Sequence, residues 1–298
     1  MTTGAGGKQK LRVLIVVKTY PIPSAKHDEL VCTAGVTETG SFIRLYPINF
    51  RDLPFRQQYK KYQWIEVVAE KHRGRDARKE SYRPDCGTIR VIGEPIRSAP
   101  TNWAARARYA LARKARSMEE LNDHRKTDRT SLGVIRPKSI RDLVISADAS
   151  DWKPGFKAAL QQARLWETRK VTKEPPPKVP CKFQYKFECD DSRCKGHQMM
   201  IEDWEVGALF WRLVRQGLSH KGAAEKVREK FLHELCGPDK DTHFFVGTIL
   251  AHPNTRVVIG VFYPEIRKGR RAAHVAPGLF DIPSEESGPT ACESRKRN

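Results

Sequence analysis

The chain has 298 residues, with 55 Lys+Arg against 35 Asp+Glu and a formal net charge of +20. Hydrophobic residues make up 39% of it and aromatic residues 9%, which excludes a wholly disordered chain and predicts a buried core. No stretch approaches the roughly 20 apolar residues that a membrane-spanning helix requires. We therefore expect a cytoplasmic protein of one large or two ordinary domains.

The excess positive charge is concentrated in the first part of the chain. Residues 1–180 hold 36 Lys+Arg and 19 Asp+Glu, whereas residues 181–298 hold 19 and 16. A basic field of this size attracts polyanions, and arginine side chains bind phosphate oxygens in pairs. The charge favours a nucleic-acid partner, with a solvated basic surface as the alternative.

The first part of the chain predicts a small β-barrel. Residues 1–10 are expected to be disordered, and short runs rich in Val and Ile follow, separated by polar turns. The predicted strands cover 11–18, 29–36, 41–47, 63–69 and 88–91. Several short strands in sequence are typical of a highly curved barrel.

Helical segments and a proline tract come next. The Ala- and Arg-rich residues 103–122 predict a helix, 131–137 a strand, and 157–168 a second, amphipathic helix. Pro175-Pro176-Pro177 is a stiff spacer that coincides with the change in charge. We therefore predict a basic domain over 11–172 and a linker over 173–180.

The second part predicts a smaller α+β module over 181–264. Alternating aromatic residues indicate a strand over 181–189, and two more strands form a hairpin over 243–263. Apolar spacing predicts helices over 201–216 and 221–235. The Pro-, Ser- and Arg-rich residues 265–298 are expected to be a disordered tail.

Three of the seven cysteines lie close together beside a histidine. The pattern Cys181-x₇-Cys189-x₄-Cys194-x₂-His197 offers the four ligands of a structural zinc site. An odd cysteine count without a secretion signal argues against a disulfide framework. His233 or Cys236 are alternatives to Cys181 as the fourth ligand, and free buried cysteines are the simpler interpretation.

Two acidic segments are candidates for catalysis. Asp203 and Glu205 could hold the divalent metal of a nuclease. However, side chains two residues apart on a helix point in different directions, so both could reach one metal only before the helix begins. Stabilisation of the helix N-terminus by acidic residues is the simpler explanation. Lys26 and Glu29, with Thr19 upstream, could clamp a ligand or exchange protons in a barrel pocket. A surface ion pair is the simpler explanation for Lys26 and Glu29.

Arginine and aromatic side chains interleave on and after the third predicted strand, as in surfaces that stack bases and hold phosphates. An aromatic core with snorkelling arginines is the alternative. The predicted nucleic-acid contacts, including two from the helix, are Arg44, Tyr46, Arg51, Arg56, Tyr59, Arg106 and Arg113.

Three segments carry a family resemblance. Residues 31–47 and 131–137 resemble strands of prokaryotic proteins with OB-like barrels, some of which are thought to bind nucleic acid. Together with residues 185–205, they resemble an uncharacterised bacterial family. Lys26-x-x-Glu29 also resembles the GxKxxExR motif of the ASCH branch of PUA-like barrels, with Ser24 and Val31 replacing the Gly and the Arg. That branch is associated with RNA binding and with enzymes acting on modified nucleosides.

These patterns predict an α+β protein: an N-terminal basic β-barrel, OB-like or PUA-like, with added helices, followed by a zinc-stabilised α+β module. The expected function is binding of DNA or RNA, with structural Zn²⁺ as the cofactor. The alternatives are a hydrolase acting on nucleic acid or modified nucleosides, and a subunit of a nucleoprotein assembly with protein partners.

Overall fold

A computed structural model describes residues 7–24, 28–72, 76, 78–98, 103–154, 176–250 and 252–266. The first seven strands are β1 (Gln9–Lys18), β2 (Ile22–Ser24), β3 (Asp28–Val36), β4 (Phe42–Ile48), β5 (Trp64–Lys71), β6 (Ser81–Pro84) and β7 (Arg90–Ile92). The last seven strands are β8 (Lys114–Ala115), β9 (Leu132–Ile135), β10 (Ser139–Ala147), β11 (Cys181–Glu188), β12 (His197–Met200), β13 (His243–Thr248) and β14 (Arg256–Phe262). The helices are α1 (Trp103–Ala110), α2 (Met118–Asp128), α3 (Trp204–Arg215) and α4 (His220–Arg228), and α4 continues into a π-helical turn, Glu229–Glu234.

The predicted barrel is confirmed as a closed five-stranded sheet. Strands follow the order β1-β3-β4-β6-β5, and β5 pairs back with β1. The small β2 and β7 extend it from β3 and β5. The chain is thus mixed α+β, as expected, while the relation of this barrel to OB or PUA folds stays a prediction.

Strand β1 is buried on both faces, because it separates two cores. Val13 and Ile15 point into the barrel interior. Leu14 and Val16 point outward, against Val134 and the other apolar residues of a second sheet. This placement explains the continuous apolar run of β1, which a strand covered on one side only would not need.

The second sheet has the order β14-β13-β9-β8, and a third has the order β10-β11-β12. Strand β10 pairs with β11, and β9 pairs with β13, so two sheets join residues before and after the predicted linker at 173–180. The described residues belong to one unit that ends at Ile266. The predicted tail after that residue and the predicted helix over 157–168 lie outside the described residues.

The helix predicted over 103–122 is divided in the structure. α1 ends at Ala110, a two-residue strand β8 follows, and α2 begins at Met118. Lys114 and Ala115 pair with β9, so tertiary pairing overrides the helix propensity of this segment. Ser117 then begins α2 by accepting a hydrogen bond from the Glu120 backbone N–H.

Candidate functional site

Four donor side chains meet where α2 lies against the end of β11. Cys189 follows β11, Cys194 lies in the turn after it, and His197 begins β12, while Glu119 comes from the first turn of α2. All four donor atoms lie within 4.8 Å of one another. His197 Nε2 is 3.3 Å from Cys194 Sγ and 3.2 Å from Glu119 Oε1. This group is close enough to hold a metal ion.

Backbone N–H groups surround the two sulfur atoms. Cys194 Sγ accepts from the N–H of Cys189 at 3.2 Å and from that of Gly196 at 3.4 Å. Gly196 has φ +86°, which a residue with a side chain rarely adopts, so a glycine suits this turn. Cys189 Sγ accepts from the Met118 N–H at 3.4 Å. Such outer contacts orient ligands and favour a thiolate.

The turn between the two cysteines also holds the start of α2. Asp191 accepts a 2.7 Å hydrogen bond from Ser117 Oγ, the residue that caps the helix. Arg193 bonds to Asp191 and, at 2.8 Å, to Asp123 on α2. The position of Glu119 is therefore fixed by contacts other than its own.

One oxygen of this group has no partner. Glu119 Oε2 is buried and accepts no hydrogen bond from the described residues. Burial also raises the pKa of the Cys189 thiol to about 12. A buried carboxylate or thiolate without a neighbouring cation lowers the stability of the fold. A metal ion bound by these groups would neutralise their negative charge. Two sulfurs, one imidazole and one carboxylate match the donor atoms of tetrahedral metal sites, whose ligands lie about 3.2–3.8 Å apart.

The structure does not bring Cys181, one of the four predicted ligands, into this group. Cys181 pairs with Ala147 at the other end of β11, about 26 Å along the strand from Cys189 at 3.3 Å per residue. The alternative Cys236 donates to the Phe231 carbonyl at 3.2 Å instead. Glu119 takes the fourth position, and no spacing rule could have identified it across 70 residues of sequence.

Asp203 and Glu205 lie beside a lysine that sequence analysis missed. Asp203 caps α3 and is 1% exposed, and both its oxygens are 2.8 Å from Lys61 Nζ. Glu205 is 53% exposed, with Oε2 3.4 Å from the same nitrogen. Burial disfavours the charged form of Lys61, but the neighbouring Asp203 carboxylate outweighs this effect and raises the pKa of Lys61. An ammonium therefore occupies the position that a nuclease metal would need.

Glu29 is also paired inside the protein. It is buried, and its carboxylate accepts from Arg51 Nε at 2.5 Å and from the Arg51 N–H at 3.1 Å. Its predicted companion Lys26 lies outside the described residues. Thr19 accepts from the Cys32 N–H at 3.0 Å, which holds β1 to β3.

Two of the predicted nucleic-acid contacts are buried, so they do not lie on a binding surface. Arg44 is 4% exposed and donates to Ser131 Oγ at 3.2 Å. Tyr59 is 1% exposed, and its hydroxyl shares a 2.7 Å hydrogen bond with Thr33. Arg44 lies on the outer face of β4, where residues of the second sheet cover it, and Tyr59 lies in the segment before β5 and packs into the barrel interior.

The other five predicted contacts differ in exposure. Tyr46 is half-buried, and Arg51 is engaged by Glu29. Arg106 stacks over the Tyr62 ring at 4.0 Å and donates to the Ile96 carbonyl. Arg56 and Arg113 are exposed.

Two exposed basic residues and one exposed aromatic residue were not among the predicted contacts. Arg108 lies on α1, and Lys114 is the first residue of β8, directly after Arg113. Arg108 and Lys114 are both exposed. Phe55, beside Arg56, is 91% exposed.

None of the four helices of the described chain is long and apolar enough to cross a bilayer.

Comparisons with known proteins place the chain in a family. The family described as "Domain of unknown function (DUF8757)" matches residues 113–283, more than half of the chain, so the chain belongs to it. A second, "Domain of unknown function (DUF8758)", matches residues 9–112. The two matches meet at residues 112 and 113, between α1 and β8.

None of the functionally curated proteins matches the chain. One solved structure, described as a murine DNA binding protein bound with double-stranded DNA, shares 11% sequence identity and has a TM-score of 0.27. That similarity covers 89% of this chain and all of the murine one. A score this low shows neither a shared fold nor a shared ligand.

Proposed function

We propose that this protein binds nucleic acid through an exposed basic segment over residues 103–116, and that a structural zinc ion holds the end of that segment in place. The partner is single-stranded or structured DNA or RNA. Its phosphates are the groups that the exposed arginine and lysine side chains would contact.

The charge pattern of this segment carries the proposal. Residues 103–116 contain five arginines and lysines and no acidic residue. Arg108, Arg113 and Lys114 are exposed, and no carboxylate of the described chain forms an ion pair with them. Cations without an ion-pair partner can bind phosphates and release the counterions condensed on them. A cation in an internal ion pair must first lose its partner, which weakens its net binding to phosphate.

The donor set supports zinc as the metal. Two cysteines, one histidine and one glutamate supply four ligands from the protein itself, which is typical of structural zinc. Glu119 lies three residues after Arg116, so a metal held there would fix the end of the basic segment against the turn over 189–197.

The test is a titration of labelled single-stranded and duplex DNA and RNA by fluorescence anisotropy at about 50 and 200 mM salt. We expect affinity to fall steeply with salt. Replacing Arg108, Arg113 and Lys114 together with alanine should weaken binding by about 100-fold and reduce the salt slope by about 2 to 3.

The matched control removes three exposed cations elsewhere: Arg212→Ala, Arg215→Ala and Lys221→Ala on α3 and α4. This control variant should lose several-fold less affinity than the first, although both have the same net charge. Binding that is insensitive to salt, or that falls equally in the two variants, would contradict the proposal.

A further inference from the structure

A cavity of about 470 Å³ lies at the end of the basic segment over residues 103–116. Its walls come from the segments around β4, β6, β8, α2 and β9. Arg113 and Lys114 of the basic segment line it, together with the rings of Phe42 and Tyr82. Pockets of about 300–1,000 Å³ hold small organic ligands, so the volume suits a single nucleoside.

The basic segment is held against the turn that precedes β4. Gly40 in that turn has φ +75°, and a Cβ added there would lie 2.5 Å from the Cβ of Ala112. Only a glycine permits this approach, which brings Arg113 next to the start of β4. The opposite wall belongs to α2, where Glu120 follows the proposed zinc ligand Glu119. The two walls are therefore fixed from both ends of the segment.

Most charged groups of the cavity wall are paired within the protein, but two cations are not. Lys79 forms an ion pair with Asp128. Glu80 is buried and accepts hydrogen bonds from backbone N–H groups at the start of β9. Arg113 and Lys114 are exposed, and no carboxylate of the described chain pairs with them. The cavity wall thus offers two cations to an anion such as phosphate.

Two half-buried aromatic rings line the same cavity. Phe42 and Tyr82 lie on β4 and β6, which pair side by side. Lys71 Nζ is 4.5 Å from the centre of the Tyr82 ring but does not line the cavity, so it covers that ring from outside. Proteins bind single strands by stacking bases on such rings while neighbouring cations hold the phosphates.

Polar side chains of α2 complete the lining. Glu120 and His124 lie one turn apart, and His124 Nε2 is 4.0 Å from Glu120 Oε1. A carboxylate accepts hydrogen bonds, and a neutral imidazole both donates and accepts, so this pair can bind the polar edge of a base. The cavity therefore combines the three kinds of group that a nucleotide requires: ring faces, cations and hydrogen-bonding side chains.

We propose that this cavity takes one unpaired base of a nucleic-acid strand, while Arg113 and Lys114 bind the adjacent phosphates. The inference rests on the proposed function and specifies which part of the nucleic acid is recognised. A base inside a duplex is paired and stacked, so it cannot enter a pocket without leaving the helix. The site therefore favours single strands, loops and strand ends over continuous duplex.

The first test compares a single strand, an abasic strand of the same length and a duplex by fluorescence anisotropy with the full chain at about 50 mM salt. The single strand should bind about tenfold more tightly than the abasic strand, because the stacked base is absent from the latter. Tyr82→Leu should remove most of this difference. Tyr82→Phe keeps the ring and should retain it.

The outcomes separate this inference from the proposed function. Salt-dependent binding with equal affinity for the single strand and the abasic strand would overturn the inference and leave the proposed function standing. Tighter binding of the duplex than of the single strand would do the same. Binding that is insensitive to salt would contradict the proposed function, and this inference with it.

A photo-cross-link tests the position of the base directly. A single strand that carries 5-iodouracil forms covalent links to stacked aromatic rings, and peptide mass spectrometry then maps them. The links should fall on Phe42 or Tyr82. Phe55 is the matched control, since it is 91% exposed and would react most in the absence of a specific site. Links mainly on Phe55 would overturn the proposal.

A competitor distinguishes a strand from a free nucleotide as the occupant. Uridine monophosphate at the same concentration as the strand should leave the cross-links to Phe42 and Tyr82 unchanged, because it lacks the further phosphates that the basic segment binds. Loss of these links to the competitor would identify a free nucleotide as the occupant and overturn the proposal.

Discussion

Two polar clusters hold distant parts of this chain together, and they differ in whether the protein itself supplies a positive charge. In the first, Lys61 lies between Asp203 and Glu205, so the protein supplies its own cation. In the second, Glu119 meets Cys189, Cys194 and His197 with no lysine or arginine among the four. Acidic residues alone therefore do not define a metal site. What matters is whether the fold has already neutralised them.

The largest expected effect comes from the cluster without its own cation. Cys194→Ser should lower the free energy of unfolding by on the order of 5 kcal/mol, since metal binding is part of the folding free energy in structural zinc sites. Urea unfolding with and without a chelator measures this difference. Wild type should lose a similar amount on chelation, whereas the variant should not respond.

Cys181→Ser is the matched control, because Cys181 lies at the far end of β11. Its stability should remain within about 1 kcal/mol of wild type, and it should keep its response to the chelator. Equal losses in the two cysteine variants would mean that Cys181 is a ligand after all.

A smaller effect is expected from the cluster with an internal cation. Asp203→Asn leaves Lys61 buried without its carboxylate and should cost about 3–4 kcal/mol. Glu205→Gln removes a half-exposed partner and should cost less than about 1 kcal/mol. Thermal unfolding of both variants, with and without Mg²⁺, measures the difference. If Mg²⁺ stabilised wild type but not the Asp203 variant, Asp203 would be a metal ligand, which contradicts its neutralisation by Lys61.

The smallest effect concerns Lys18, beside the same cluster. Its pKa is about 8 in the folded protein and about 10.5 when unfolded, so between these values the unfolded chain binds more protons. The free energy of unfolding should therefore rise as pH increases from 8 to 10.5. Lys18→Met should stabilise the protein by on the order of 1 kcal/mol at pH 7, and this gain should disappear near pH 10.5. Denaturant titrations at the two pH values measure it, and a destabilised variant at pH 7 would contradict the account.

Local patterns predicted much of the fold. The apolar run over 11–18 and the polar turns after it indicated the barrel strands, and the apolar spacing over 201–216 indicated α3. The predicted helix over 103–122 failed at Lys114 and Ala115, because pairing with β9 is a long-range contact that local propensity does not contain. The capping pattern Ser117-x-x-Glu120 could have indicated the true start of α2.

The sites were predicted only where their ligands are close in sequence. Cys189, Cys194 and His197 share one turn, and the structure brings them together. Glu119 and Lys61 were missed because their partners lie 70 or more residues away and neither residue belongs to a spacing pattern. Arg44 and Tyr59 were assigned to the surface because the sequence does not show that a second sheet covers Arg44 or that Tyr59 packs into the barrel interior.

Metal content tests the central contrast most directly. Native protein, Glu119→Gln, Cys194→Ser, Cys181→Ser and Asp203→Asn would be purified without added chelator and measured by mass spectrometry of the elements. We predict one zinc per chain in the native, Cys181 and Asp203 proteins, a weakened and easily removed zinc in the Glu119 variant, and none in the Cys194 variant. Native protein without zinc, or zinc that is lost with Asp203 and retained without Cys194, would contradict the account.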